Sequence, residues 1–272
     1  MSITFIGGGN MANAIIGGLI KQGQPAAALR VVEIDAAARE RLTRQYAVQT
    51  FSRIDDQAVA ADCIVLAIKP QNMREVATAL RPHVKTQLVI SIAAGIRGGD
   101  LARWLGGYAR IVRVMPNTPA LVGAGYSGIY AMPGATAEDA ARAESILGAV
   151  GATLRVDREE QLDAVTAVSG SGPAYVFYFI EALQQAALEL GLAPEAARRS
   201  ALETFAGAVK LATESTEDVA TLRARVTSKG GTTAAALASM QAAAIKEAIV
   251  RAIKAADARA RELGDELGKD QD

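Results

Sequence analysis

Ser2-Ile3-Thr4-Phe5-Ile6-Gly7-Gly8-Gly9-Asn10-Met11-Ala12-Asn13-Ala14-Ile15-Ile16 opens the chain and decides its fold. Ile3, Phe5 and Ile6 read as a short buried strand. A tight glycine turn follows, and Met11, Ala14, Ile15, Gly18 and Leu19 then recur at helical spacing. Gly7, Gly9 and Ala12 fit the pattern G-x-G-x-x-[G/A] between strand and helix. Gly7 permits the sharp turn, Gly9 lets backbone approach a pyrophosphate, and Ala12 is small enough for the helix to lie close on the strand. The helix start offers free N–H groups and a positive dipole end to the phosphates. Ile6, Gly7, Gly8, Gly9, Asn10 and Met11 are therefore a candidate dinucleotide cradle.

The rest of the composition agrees with a globular α/β protein. Half of the 272 residues are hydrophobic, so the chain can bury a real core. Lys plus Arg and Asp plus Glu both number 29. That balance argues against a nucleic acid or an anionic membrane as partner. One cysteine, Cys63, lies in an apolar run and allows no internal disulfide, which suits a reducing compartment. The N-terminus reads as a folded strand rather than a leader, and no apolar run reaches the length of a membrane span. A cytoplasmic protein is expected, with no metal site.

Strands and helices alternate through the first half, as a doubly wound parallel sheet requires. The second strand, Leu29–Ile34, leads into Glu33-Ile34-Asp35. An acidic residue about 20 positions past the glycines holds the adenosine ribose in such folds, and Glu33 and Asp35 both qualify. A carboxylate there favours NAD, because it repels the 2′-phosphate of NADP. A helix over Ala36–Tyr46, a strand near Val48–Phe51 and a helix around Asp55–Ala61 follow. Cys63–Ile68 is a continuous apolar strand, as expected where both sheet faces are covered. It ends in Lys69-Pro70-Gln71, at the edge where ligands bind. His83, the only histidine, reads as a surface loop residue beside Pro82. Leu88–Ala93 ends in the small residues Ala93-Ala94-Gly95, which let a flat ring approach. Arg110–Met115 ends in Met115-Pro116-Asn117-Thr118-Pro119, where two prolines hold Asn117 at the same edge. Tyr126–Met132, the helix Ala137–Val150 and the strand Thr153–Val156 complete a dinucleotide-binding domain over residues 1–158.

Residues 159–272 read as all helix: Glu160–Val168, Pro173–Leu190, Pro194–Thr213, Asp218–Val226 and Ala234–Leu263, with a charged, frayed tail after Leu263. Ala174-Tyr175-Val176-Phe177-Tyr178-Phe179-Ile180 is apolar on nearly every face, so a partner subunit is the natural cover. Two loops are potential anion cradles at helix starts: Ser169-Gly170-Ser171-Gly172-Pro173, and Thr227-Ser228-Lys229-Gly230-Gly231-Thr232-Thr233. The second carries more glycine and hydroxyl than a plain cap needs, and is read as a carboxylate site.

Taken together these motifs resemble the pyrroline-5-carboxylate reductase family over essentially the whole chain. The resemblance rests on Phe5–Met11, Ala67-Ile68-Lys69-Pro70, Ser91–Gly95, Met115–Pro119, Ser169–Tyr175 and Ser228-Lys229-Gly230-Gly231-Thr232-Thr233. It implies a Rossmann-type domain followed by an all-helical dimerisation domain, an intertwined homodimer often built into a decamer, and reduction of 1-pyrroline-5-carboxylate to L-proline by NADPH or NADH. By similarity Ile6–Met11, Ile68, Lys69, Pro70 and Ala93 contact cofactor, with the nicotinamide against Ala93-Ala94 and the Pro116-Asn117 loop. Glu159, Ser228, Gly230, Gly231, Thr232 and Thr233 contact substrate. The resemblance also implies a site combining the nucleotide domain of one subunit with helices of its partner. Thr233 is the group expected to hydrogen-bond the imine nitrogen. Two departures stand out. Lys229 replaces the family's usual Pro. Glu33 and Asp35 replace the Ser or Arg that suits a 2′-phosphate, although Arg225 or Arg39 could supply that contact. A β-hydroxyacid dehydrogenase would carry a catalytic lysine on the long helix, and Pro173–Leu190 has none. A nucleotide-binding regulator without turnover would not need the Gly230–Thr233 loop.

Overall fold

A computed structural model describes residues 1–269. β1 (Ile3–Ile6) is buried at all four positions, and its residues alternate between two cores on opposite faces of one sheet. α1 (Asn10–Lys21) follows the glycine turn and buries Ala12, Ile15, Ile16 and Leu19, one stripe of the helix. Each large aliphatic side chain so buried contributes about 1.5–3 kcal/mol. α1 stops after Lys21, where Gly23 takes a positive φ of 92° and Gln24 donates back to the Leu19 carbonyl.

The sheet runs in the order β3-β2-β1-β4-β5-β6-β7-β8. Its remaining strands are β2 (Leu29–Val32), β3 (Gln49–Phe51), β4 (Cys63–Leu66), β5 (Leu88–Ser91), β6 (Ile111–Met115), β7 (Gly125–Ala131) and β8 (Gly151–Arg155). All neighbours are parallel except β6 and β7, which a short 3₁₀ turn (Thr118–Val122) joins in place of a crossover helix. α2 (Ala36–Tyr46), α3 (Met73–Leu80), α4 (Gly98–Trp104) and α5 (Ala137–Leu147) cover the faces. The order reverses between β1 and β4, which opens a crevice at their carboxyl ends. Cys63 is fully buried, and burial pushes its thiol up to about 11, so it is a core residue.

The expected helix at Asp55–Ala61 is absent, and the segment is a series of turns. The Asp55 carboxylate caps the Ala58 N–H, and the carbonyls of Ala58 and Ala60 accept from Thr4 and Arg30. The Val59 N–H returns to the Asp55 carbonyl, and the carbonyls of Ala58 and Ala60 anchor the segment to side chains of β1 and β2 in place of continuing a helix.

The chain forms two compact units, Met1–Ser171 with the residues from Ala256 on, and Gly172–Ala255. In the first, α6 (Gln161–Val165) runs through a wide π-type turn (Thr166–Gly170) without leaving the helical path. The expected Ser169–Pro173 loop is therefore no cradle: the Ser171 N–H donates to the Thr166 carbonyl. In the second, α7 (Gly172–Glu189), α8 (Pro194–Glu214) and α9 (Val219–Arg225) precede α10 (Thr232–Ala242), and α11 (Ile245–Leu267) starts there and ends in the first. The single helix expected over Ala234–Leu263 is thus broken. Ala244 turns to a φ of 50°, with Ala243 and Ala244 closing α10 through bonds to Ser239 and Gln241. Nor is the tail frayed over residues 264–268; the same expectation for residues 270–272 lies outside the described residues. Leu267 packs on the second core, and Arg103 donates to the Gly268 carbonyl. Not one residue of α7 is buried within the chain, and Phe177 and Tyr178 are 61% and 70% exposed.

The start of α5 carries a titratable lock. Arg110 grips Asp139 through Nε at 2.9 Å and Nη2 at 2.7 Å, while Asp139 completes a capping box with Thr136. The guanidinium, with help from the Thr136 bonds, holds this carboxyl at about 2 against an ordinary 3.8. Asp139 thus stabilises the fold by ~2 kcal/mol above pH 3.8, and this is lost as pH falls through 2. Urea unfolding of wild type and Asp139→Asn across this range should show a gap at neutral pH that closes toward pH 2; a constant gap would remove the ion pair as its cause.

Candidate active site

Gly7 takes a φ of 98°, and a Cβ there would lie 2.5 Å from the Ala67 carbonyl oxygen and 2.9 Å from the Ile68 side chain. Only glycine fits between β1 and the end of β4. A Cβ on Gly9 would meet nothing within 4 Å, so that backbone faces open space. The Asn13 amide donates to the carbonyls of Gly8 and Gly9 at 2.7 and 3.0 Å and ties the turn to the helix. No side chain caps α1 at Gly9, which leaves the first-turn N–H groups, from Asn10 and Met11 on, for an anion. The cradle fits a pyrophosphate: it has open space, donors and a rigid floor.

The two candidate carboxylates have separate duties. Asp35 is the N-cap of α2 and accepts the Ala37 N–H at 2.8 Å. Glu33 bends over the glycine turn, where its two oxygens accept the N–H of Gly8 at 2.9 Å and of Asp35 at 3.0 Å. Arg39 donates to the carbonyls of Glu33 and Ile34. At the neighbouring strand ends, Ala93 is buried and Pro70 opens a 3₁₀ turn after the exposed Lys69. Gly95 sits under Leu263 and Leu267 of α11.

Asn117 is held inward. Its Oδ1 accepts the Tyr126 N–H at 2.8 Å, and its Nδ2 donates to the carbonyl and hydroxyl of Ser169. This amide binds the β6 loop to β7 and to the π turn.

Sequence reasoning missed a buried ionic cluster beside this edge. Arg113, at the centre of β6, reaches Glu159 at 2.6 Å, and the same oxygen of Glu159 accepts the Gly98 N–H at the start of α4. Arg97 grips both oxygens of Asp163. Burial pulls the Arg113 guanidinium below its ordinary value, with Glu159 opposing. The available signal was an arginine inside the apolar strand Ile111–Met115. Glu159 thus braces the segment that follows Ala93-Ala94-Gly95.

In the second unit Gly230 takes a φ of 74°, and the Gly231 N–H returns to the Ser228 carbonyl at 3.1 Å. Gly231 is the N-cap of α10, with no side-chain cap. A Cβ on Gly231 would stand 2.5 Å from the Ser228 hydroxyl. The free donors are therefore the first-turn N–H groups of α10, and the Gly231 N–H is already committed. Among the described residues the hydroxyls of Thr232 and Thr233 have no partner in the chain. Arg225 pairs with Glu217 at 2.5 Å. Among the described residues no group of three His, Cys, Asp or Glu side chains is placed to hold a metal ion.

Gly-rich turn, switch point, uncapped helix start and the carboxylate resting on the turn define a Rossmann-type dinucleotide-binding protein. Residues 159–263 match the family model described as pyrroline-5-carboxylate reductase dimerisation, and residues 2–95 match NADP oxidoreductase coenzyme F420-dependent. The chain is 45% identical to a pyrroline-5-carboxylate reductase of Pseudomonas aeruginosa, over 98% of both chains. A solved pyrroline-5-carboxylate reductase from Coxiella burnetii superposes with a TM-score of 0.91 at 40% identity, over 96% of this chain and 98% of that one. The Plasmodium falciparum enzyme, solved with NADP bound, gives 0.86 at 29%, over 97% and 98%. This chain belongs to the pyrroline-5-carboxylate reductase family. It is an NAD(P)H-dependent oxidoreductase carrying that family's dimerisation domain.

Removing one charge from the buried cluster should be costly. Glu159→Gln leaves Arg113 buried without its counter-ion, and a loss of about 3–5 kcal/mol is expected in denaturant unfolding. Arg113→Met in the same chain should recover most of it; a double variant no more stable than the single one would overturn the counter-ion account.

Proposed function

We infer that this chain reduces 1-pyrroline-5-carboxylate to L-proline with NAD(P)H, working as a homodimer that can build further into a decamer, in the cytoplasm. The observation that carries the reading is the uncapped start of α10, with its unpartnered threonine hydroxyls, on the same chain as the dinucleotide cradle. Ile6, Gly7, Gly8, Gly9, Asn10, Met11, Glu33, Ile68, Lys69, Pro70, Ala93 and Asn117 serve the cofactor, Asn117 by holding its loop. Glu159, Ser228, Gly230, Gly231, Thr232 and Thr233 serve the substrate, Glu159 by bracing and Ser228 by closing the turn. The bare apolar faces of α7 support self-association. No helix among the described residues is long and apolar enough to cross a membrane.

The bound cofactor supplies a hydride to the imine carbon. The protein's part is to position the substrate. First-turn N–H groups of α10 hold the substrate carboxylate, aided by the helix dipole. The Thr233 hydroxyl, one turn position further on, orients the imine nitrogen. A threonine is a poor acid, so an iminium protonated in solution is the species that reacts, and Thr233 accepts its N–H and fixes the ring's orientation. Fixing the ring this way removes orientational freedom before the reaction.

Purified protein given 1-pyrroline-5-carboxylate should consume NAD(P)H absorbance and form proline, and no consumption by folded, dimeric protein would sink the reading. Thr233→Ala should lower kcat about tenfold or more, the loss of one oriented hydrogen bond of ~1.5 kcal/mol. An unchanged kcat would remove Thr233 from the mechanism.

A further inference from the structure

We propose that Glu33 makes this chain an NADH enzyme that discriminates against NADPH. The inference deepens the reading above at its cofactor site, and it rests on that reading only for the presence of a dinucleotide.

The carboxylate of Glu33 is fixed in place. One oxygen accepts from Gly8, inside the glycine turn, and the other from Asp35, at the entry to α2. A Cβ on Gly8 would meet Leu42 at 2.7 Å and Glu33 Oε2 at 3.3 Å, so the carboxylate lies directly on the turn. An ionised carboxylate has about four acceptor positions. Two are filled by the backbone, which leaves two for the pair of hydroxyls on an unphosphorylated ribose. A 2′-phosphate removes one of those donors and adds a charge of about −1.5 to −2 against a fixed negative group. Moving Glu33 aside would strand the N–H groups of Gly8 and Asp35.

The surroundings supply little for a phosphate. Ile34 is apolar and 86% exposed, and Asp35 is acidic and spent on the cap of α2. Ala36, Ala37 and Ala38 follow with no hydroxyl or cation. Arg39 is the first basic residue after β2. Its Nη1 is anchored by the carbonyls of Glu33 and Ile34 at 2.7 and 2.8 Å, which holds the guanidinium against the strand end. Arg225, in the second unit, is paired with Glu217.

Calorimetric titration of the full-length protein with NAD⁺ and with NADP⁺ reads the inference without turnover. NAD⁺ should bind at least about tenfold more tightly, equivalent to ~1.4 kcal/mol. The ratio of kcat/KM for NADH over NADPH should follow the same preference. Glu33→Gln keeps the side chain's size and one acceptor oxygen while removing the charge, and should bring the binding ratio toward one, chiefly by tightening NADP⁺. Equal or tighter binding of NADP⁺ by the wild type, weakened by Arg39→Ala, would overturn the inference and assign the phosphate to Arg39. An unchanged ratio in Glu33→Gln would equally remove Glu33 as discriminator. If no imine is reduced with either cofactor but NAD⁺ still binds more tightly, the reaction assigned above fails while the role of Glu33 stands.

Discussion

The passage of Gly7 beneath the carbonyl of Ala67 is the contact on which the nucleotide-binding unit depends. A single added carbon would stand 2.5 Å from that oxygen, closer than atoms can approach. The contact lets β1 end and turn beside β4, where the strand order reverses. It puts the uncapped start of α1 over the carboxyl edge of the sheet, and it leaves Gly9 open to the outside. Gly8 in turn serves as the seat of Glu33. One forbidden side chain thus positions an uncapped helix start and the carboxylate that rests on the turn before it.

Two strands beyond that crevice, β6 is fixed by charges as well as by apolar packing. Arg113 with Glu159 and Arg97 with Asp163 tie β6, the start of α4 and α6 into one block. Arg113 and Asp163 are buried and their partners half-buried; desolvating such charges is expensive, and such pairs rarely add net stability over an apolar core. Their effect is directional. An apolar contact tolerates sliding, whereas a carboxylate shared between a guanidinium and a backbone N–H allows one arrangement. Asn117 does the same for the neighbouring loop, fixing it to β7 and to the π turn.

The sheet was legible because its signals are local. Apolar strands, the glycine spacing and the change to all-helical pattern near Asp157 each depend on a few adjacent residues. The segments that departed from expectation are those settled by distant partners. Asp55–Ala61 has helical composition, yet Thr4 and Arg30 take its carbonyls. Ser169-Gly170-Ser171 resembles a loop, yet the helix widens and carries on through it. The break at Ala243–Ala244 falls inside an alanine run with no glycine or proline to announce it. Leu267 ends a charged stretch and still finds an apolar surface. The Arg113–Glu159 cluster joins residues 46 apart, and only the oddity of an arginine in a buried strand hinted at it.

The alternation of strands and helices, the glycine turn at Gly7–Gly9 and the glycine-rich turn before Thr232 were determined by the sequence itself, because glycine placement and hydrophobic period act over a few residues. Tertiary structure alone decided which carboxylate rests on the glycine turn and which caps a helix. Glu33 and Asp35 are two positions apart and chemically alike. They differ only in which N–H groups the folded chain brings to each: those of Gly8 and Asp35 for one, that of Ala37 for the other. Asn117 is the same kind of case, a polar side chain at the crevice edge whose direction was set by Tyr126 and Ser169. Hydrogen-bond partners distant along the chain are invisible in a linear pattern, and at this site they determine the chemistry.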